Sequence, residues 1–403
     1  MIYWIVIFIL VVILFLTRIT DKVVINPIKI TAGIWLFLLL AYNLTNHGLY
    51  PLSDKFYASV VLWVVPMFCV YIILYFLFSA KKSYLKFYPS KFIYSQKFIC
   101  FFIFISLVYV VFKVNEVRSH GSDYFFHALR EIAGDKANGE MEVSILERSL
   151  SRILQFSYLL WLTYLCRGTR FKYQYIFYGL VFIQFLLGAN KFYFVRFFVG
   201  YFAILIAKNK ISPRKFFIYS VSFVLLMSTL NYFRLENSDS FDLLNDLQIY
   251  FLSPLPAFDT YILHSSSAAL FTTEGFGEHV FASLRGEALM NPDYFENDNL
   301  VFVPLPTNVF TVLSAYYIDF GNLGIICASI FFGTFFSFLY FEAKHNEAFL
   351  VLYAALLYIL VVQFFFDFLI TSQARPNILL MIVSLFVLYH PSIKNSKLLN
   401  KKV

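Results

Sequence analysis

The chain has 403 residues, of which 60% are hydrophobic and only 14% charged, with a mean hydropathy of +0.72. A soluble domain carries roughly 25% charged residues, so a water-soluble fold is excluded. The net charge of +8 sits in short loops beside apolar runs and not in a patch suited to nucleic acid. The first run, from residue 2, lacks a basic leader and a small-residue cleavage site, which predicts a retained helix and not a signal peptide. Further runs follow to the end of the chain, each near the ~20 residues that cross ~30 Å of hydrocarbon. Backbone groups in lipid need internal partners, so the runs are predicted to be helices; a barrel would alternate, and no alternation is present.

In chain order the predicted spans are 2–16, 30–46, 57–79, 98–114, 150–166, 175–189, 191–207, 216–232, 318–341, 349–370 and 377–390. The expected fold is therefore an all-α polytopic membrane protein of about eleven spans, forming one membrane domain over residues 1–403. Segments 17–29, 81–97, 167–174, 208–215, 342–348 and the tail after 390 carry 20 of the 32 lysines and arginines. Lysine and arginine favour the cytoplasmic side. An odd span count with the N-terminus outside and the C-terminus inside puts all six segments there. The opposite side receives the loop 115–149 and a main loop of about 85 residues, 233–317. Long ordered loops of this kind usually carry function.

The four cysteines fall inside apolar runs, without disulfide or metal-ligand spacing. No Walker A, G-x-G-x-x-G, H-E-x-x-H, G-x-S-x-G or paired CxxC motif occurs, so nothing supports ATP-driven or zinc chemistry. No cofactor and no metal is expected. What stands out is a set of cations near the outer face: Lys191 and Arg196 in "NKFYFVRFF", Arg234 at the end of the eighth span, Arg285 in "SLRGEA", and Arg375 in the short turn "QARPN". For Arg196 the alternatives are an anion site, or a side chain that snorkels or pairs with Asp367. Arg234 and Arg285 also read as an interfacial anchor and as a loop arginine paired with Glu287. Arg118, Arg130 and Arg148 read as ordinary loop charges. Arginine's planar fork suits phosphate and diphosphate. His264, His279, Asp259, Asp293 and Asp319 are the acid–base candidates on that side, and each histidine also reads as an ordinary loop residue.

The stretch "PTNVFTVLSAYYIDFGNLG", Pro306 to Gly324, is unusually polar for the edge of a bilayer. Asn308, Thr311 and Ser314 recur at spacing three, as do Tyr316 and Asp319, so they form stripes on a helix. Tyr316 and Tyr317 suit the headgroup belt, and Thr307 or Asn308 suits a helix cap. Asn, Asp and aromatic side chains are also what sugar binding uses. Matched at Pro306, Thr307, Asn308, Val309, Phe310, Thr311, Tyr316, Tyr317, Asp319, Phe320 and Gly321, this stretch resembles the membrane-entry signature of the bacterial O-antigen polymerases, the oligosaccharide repeat-unit polymerases. The run from Gly188 to Ser212 is similar to a second segment of that family. Where many relatives have Arg-Pro before the aromatic pair, this chain has Ser314 and Ala315, so no anion-binding role passes to position 314.

The resemblance implies a membrane glycosyltransferase acting on undecaprenyl-diphosphate-linked oligosaccharides at the periplasmic face of the bacterial inner membrane. It would transfer a growing glycan to a new repeat unit, with lipid diphosphate as leaving group. Arg285, Arg196, Lys191, Arg234 and Arg375 are then the diphosphate candidates. His264, His279 and Asp319 are the base candidates, with a structural role as the alternative for Asp319. Asn308 and Tyr317 would touch glycan or position the loop. Membrane lipid, a chain-length regulator and a flippase are the further partners implied. An O-antigen ligase and a lipid-linked oligosaccharide flippase or transporter are the alternatives.

Overall fold

The computed structural model of the protein describes residues 2–21, 23–79, 87–90, 93, 95–120, 125–137, 141–142, 144–169, 171–187, 191–212, 215, 218–219, 250–264, 280–281, 284, 301–304, 306–307, 309–371 and 374–391. The helices are α1 (Ile2–Thr20), α2 (Pro27–Leu44), α3 (Asp54–Ser79), α4 (Gln96–His120), α5 (Phe125–Ala137), α6 (Ile145–Arg167), α7 (Gln174–Leu187), α8 (Lys191–Ala207), α9 (Pro254–His264), α10 (Val312–Ala343), α11 (Glu347–Leu356), α12 (Tyr358–Val361) and α13 (Ala374–Ile382). A π-helical turn, Val383–Leu388, continues α13. Two short antiparallel ribbons accompany them: β1 (Phe87–Pro89) with β4 (Tyr389–Pro391), and β2 (Val301–Phe302) with β3 (Pro306–Thr307). Among the described residues five helices, α1 to α4 and α10, are long and apolar enough to cross a membrane. The protein is therefore helical and of multi-pass membrane character.

The exposed apolar side chains say which faces meet lipid. Trp4, Phe8, Phe15 and Ile19 on α1, Phe37 on α2, Phe76 on α3 and Phe104 on α4 all lie outward. The middle of the bundle is α11, whose Ala348 to Leu356 are all buried. A helix apolar all round belongs inside. Against it and α3 runs α10, the most enclosed of the five long helices. The contact between α3 and α10 is close because Gly333 leaves its Cβ position to the Met67 backbone, 2.9 Å from the Met67 Cα. Small residues allow such backbone approach in membrane bundles. One buried glutamine ties three elements of the core together. The Gln363 side chain, fully buried, accepts from the Trp63 indole N–H at 2.8 Å and the Trp35 indole N–H at 3.3 Å, while its amide donates to the Leu360 carbonyl at 2.8 Å.

The described parts of the basic segments make contacts with one another. Lys344 donates to Asp21 at 2.6 Å. Arg167 and Lys208 both reach Glu347, at 2.9 and 3.2 Å. β1 pairs with β4, which joins segment 81–97 to the end of the described chain. The Tyr164 hydroxyl donates to the Ile93 carbonyl at 2.5 Å and ties segment 81–97 to the end of α6.

Several predicted elements differ from the observed ones. The loop 115–149 holds the end of α4, all of α5 and the start of α6. The span 318–341 begins earlier, at Val312, and is broken at Gly321, whose φ of 57° and ψ of −147° are not helical. That conformation is close to glycine-only territory, which explains why Asp-Phe-Gly carries the break. The span 349–370 ends as helix at Val361. Residues after it form an irregular turn because Asp367 takes their amides: Leu369 N–H donates to its Oδ1 at 2.8 Å and Thr371 N–H to its Oδ2 at 3.0 Å. The span 216–232 falls almost wholly outside the described residues.

Candidate functional site

Two cavities open near the end of the bundle opposite the basic segments. The first is a groove of about 600 Å³ between α10, α13 and the segment holding Val280, Phe281 and Leu284. Its lining is almost wholly apolar, and Phe281, Leu284, Leu323, Phe331 and Ile378 are part of its exposed wall. The break at Gly321 shapes it, because Phe320, Leu323 and Gly324 all line it. Two polar contacts hold the other wall in place. Asp319, 7% exposed, accepts the Val280 N–H at 2.8 Å. Arg375 donates from Nε and Nη2 to the Leu284 carbonyl, at 3.2 and 2.9 Å. The guanidinium therefore sits at the rim of a carbon-lined groove, on the residue that precedes Arg285 in the chain.

The second cavity, about 250 Å³, lies among α4, α5, α6, α7 and α8 and is the more polar of the two, with charged and amide side chains among apolar ones. Lys113 bridges Glu116 at 2.8 Å and Glu147 at 2.5 Å; Lys136 bridges Glu147 at 2.6 Å and also Glu116. α5 rests here through Ala128, Leu129 and Ile132, which pack on Tyr109 and Val117 of α4 and Leu150 of α6. Burial pushes the Glu147 carboxyl up, but its hydrogen bonds to Lys113 and Lys136 outweigh that and hold it below the usual range. Burial pushes Lys136 down, and the hydrogen bonds to Glu116 and Glu147 outweigh it, so its pKa is raised.

A lowered carboxylate pKa stabilises the fold above the unfolded value and is lost as pH falls through the folded one; a raised lysine pKa stabilises below the unfolded value and is lost above the folded one. The network should thus contribute fully between about pH 5 and pH 10. Glu147→Gln is expected to lower the melting temperature inside that window and to match the native protein near pH 3, read by thermal melting across pH.

The chain matches no family model, no curated protein and no solved structure.

The predicted site residues distribute as follows. Arg196 is 4% exposed and lines the polar cavity; Arg375 is exposed at the rim of the apolar groove. The two cavities have no lining residue in common, so these two cations do not form one cluster. The pairing considered between Arg196 and Asp367 is not made. Asp367 binds the Tyr316 hydroxyl at 2.7 Å and its own turn, while Arg196 lies over the rings of Tyr158 and Tyr358, at 5.1 and 5.4 Å. Lys191 opens α8 and His264 closes α9. Arg234, Arg285, His279, Asp293 and Asn308 lie outside the described residues. Asp259 has both oxygens on Ser53, accepting the backbone N–H at 2.7 Å and the hydroxyl at 2.5 Å, and burial raises its pKa. Tyr317 is half-buried, edge-on to Phe258 and Tyr261.

Most polar groups of the Pro306–Gly324 stretch are structural. Thr311 caps α10 by accepting the Leu313 N–H at 3.3 Å, Ser314 donates to the Thr311 carbonyl at 2.8 Å, and Thr307 accepts the Val309 N–H at 3.3 Å. Residues that line the polar cavity without having been singled out from sequence are Lys113, Lys136, Glu147, Gln155 and Gln184. The available signal was a lysine at the end of one apolar run and a glutamine inside each of two others.

Proposed function

We propose that the protein is a membrane glycosyltransferase that polymerises oligosaccharide repeat units carried on undecaprenyl diphosphate, at the extracytoplasmic face of the bacterial inner membrane. The observation that carries this reading is the apolar groove with Arg375 at its rim. A polyprenyl chain needs a carbon-lined surface open to the bilayer, and its diphosphate needs fixed cations where that surface ends. His279 and Arg285 flank the groove-lining segment 280–284 in sequence. Contacts among the basic segments fit their lying on one side of the membrane, with the arginine-rimmed groove toward the other.

In the reaction, an acceptor hydroxyl attacks the anomeric carbon of the donor glycan, and the bond from that carbon to the diphosphate oxygen breaks. The electron pair leaves on the lipid diphosphate, and Arg375 with Arg285 offsets the charge that develops there. The hydroxyl proton passes to a base, for which His264, His279 and Asp319 are the candidates. Glycan on one side and carrier on the other need no nucleotide and no additional energy source, because the diphosphate bond supplies the driving force.

The test is to replace Arg375 and Arg285 singly with alanine, verify protein level, and read surface glycan ladders in cells. The expected result is loss of long chains with the single ligated repeat retained. Loss of all ligated glycan would instead indicate a ligase. In proteoliposomes loaded with two lipid-linked repeats, transport without new glycosidic bonds would indicate a flippase, and either outcome removes the polymerase reading.

A further inference from the structure

The polar cavity contains a charge without a counter-charge. Arg196 is 4% exposed, and its Nε and Nη2 have no hydrogen-bond partner. These two donors form one edge of the guanidinium, the edge that grips two oxygens of an oxyanion side by side. The rings of Tyr158 and Tyr358 hold the group by cation–π contact, and the Tyr158 hydroxyl donates to the Arg196 carbonyl at 2.8 Å, which fixes the ring. The neighbouring charges do not neutralise it. Lys113 and Lys136 are balanced by Glu116 and Glu147, so among the described residues the net charge of the cavity is that of Arg196. A buried charge without a counterion is costly. Water satisfies donors but brings no charge.

Two amides complete the wall. Gln184, 5% exposed, has a free Nε2, and Gln155 has a free Oε1. One offers a donor and the other an acceptor, which together suit hydroxyl groups. The size is also informative. About 250 Å³ equals roughly eight waters at about 30 Å³ each, at the small end of ligand cavities. A diphosphate carries more than one negative charge, against the single positive charge that Arg196 offers.

We infer that this cavity binds a single acidic sugar residue, its carboxylate on the Nε–Nη2 edge of Arg196 and its hydroxyls on Gln184 and Gln155. The assignment of that sugar to the repeat unit rests on the polymerase reading; the binding site itself does not. It makes the substrate class an acidic glycan, with the carrier diphosphate held at the separate groove.

The test uses full-length protein purified in detergent, with binding measured by calorimetry and thermal melting. The probes are glucuronate, glucose and inorganic phosphate. Glucuronate is expected to bind and to raise the melting temperature, with glucose at least tenfold weaker. Arg196→Lys keeps the charge but loses the two-donor edge, and Gln184→Leu keeps the volume; each is expected to weaken glucuronate at least tenfold while the unliganded protein still melts cooperatively. Glucuronate binding no tighter than glucose, or unchanged in both variants, overturns the inference. Phosphate that binds more tightly than glucuronate and displaces it assigns the cavity to a phosphate-bearing ligand and also overturns it. Polymerisation in proteoliposomes without glucuronate binding removes this site and leaves the polymerase reading, whereas glucuronate binding without polymerisation removes that reading and leaves the site.

Discussion

Asp367→Leu is expected to leave almost no folded protein in the membrane. Asp367 is 1% exposed, and its carboxylate is the acceptor for the Tyr316 hydroxyl and for the amides of Leu369, Ile370 and Thr371. Leucine fills the space but accepts nothing. Four donors would then be buried without partners, at about 1–3 kcal/mol each. The sum is comparable with the total stability of a typical domain, about 5–15 kcal/mol. The loss also reaches the site, because Tyr316, Leu369 and Ile370 line the apolar groove. Asp367→Asn keeps one carbonyl acceptor and is expected to fold with a lowered melting temperature. Membrane protein level and detergent melting curves measure both variants. A leucine variant that accumulates and melts like the native protein would show that this carboxylate does not hold the turn.

Gly324→Ala should be strongly disruptive. A Cβ at this position would lie 2.1 Å from the Tyr316 carbonyl oxygen and 2.8 Å from the Phe320 Cβ. The carbonyl belongs to the backbone and cannot swing aside, so the break at Gly321 must open. Overpacking of this kind costs about 1–3 kcal/mol, or more where no relaxation is available. Because Phe320, Leu323 and Gly324 line the groove, the shift also alters the lipid-facing wall. The expected result is a lower melting temperature and, on the polymerase reading, shortened surface glycan chains. Gly33→Ala is the matched control: no atom lies within 4 Å of its Cβ position, and alanine is the better helix former. Its melting temperature and chain lengths should equal or exceed the native values. Equal behaviour of the two variants would refute the steric account of the break.

The loop 115–149 shows where pattern reading lost information. α5 is amphipathic but short, and its apolar face has meaning only against Tyr109, Val117 and Leu150, which come from two other helices. Lys113 looked like the end of a span; it is 8% exposed and bridges two carboxylates, one of them 34 residues away. The polar stretch after Pro306 looked like a glycan surface. Thr311, Ser314, Tyr316 and Asp319 also make contacts within the fold: a helix cap, a local turn, the Asp367 carboxylate and the Val280 amide. The sequence suggested a cap at Thr307 or Asn308, whereas the cap of α10 is Thr311; the partners of Tyr316 and Asp319 are 51 and 39 residues distant, beyond any local pattern.

The sequence by itself determined that the chain is helical and belongs in a membrane, since solvation in hydrocarbon depends on each run's own composition and length. It also marked the six basic segments, and their lateral contacts follow from charges placed at the same end of neighbouring helices. Only the tertiary structure decided that Arg196 and Arg375 serve different cavities, that Gly321 breaks α10, and that Gln155 and Gln184 share one wall. Those facts depend on how helices rotate and pack against partners far away in the chain, and no local pattern encodes that rotation.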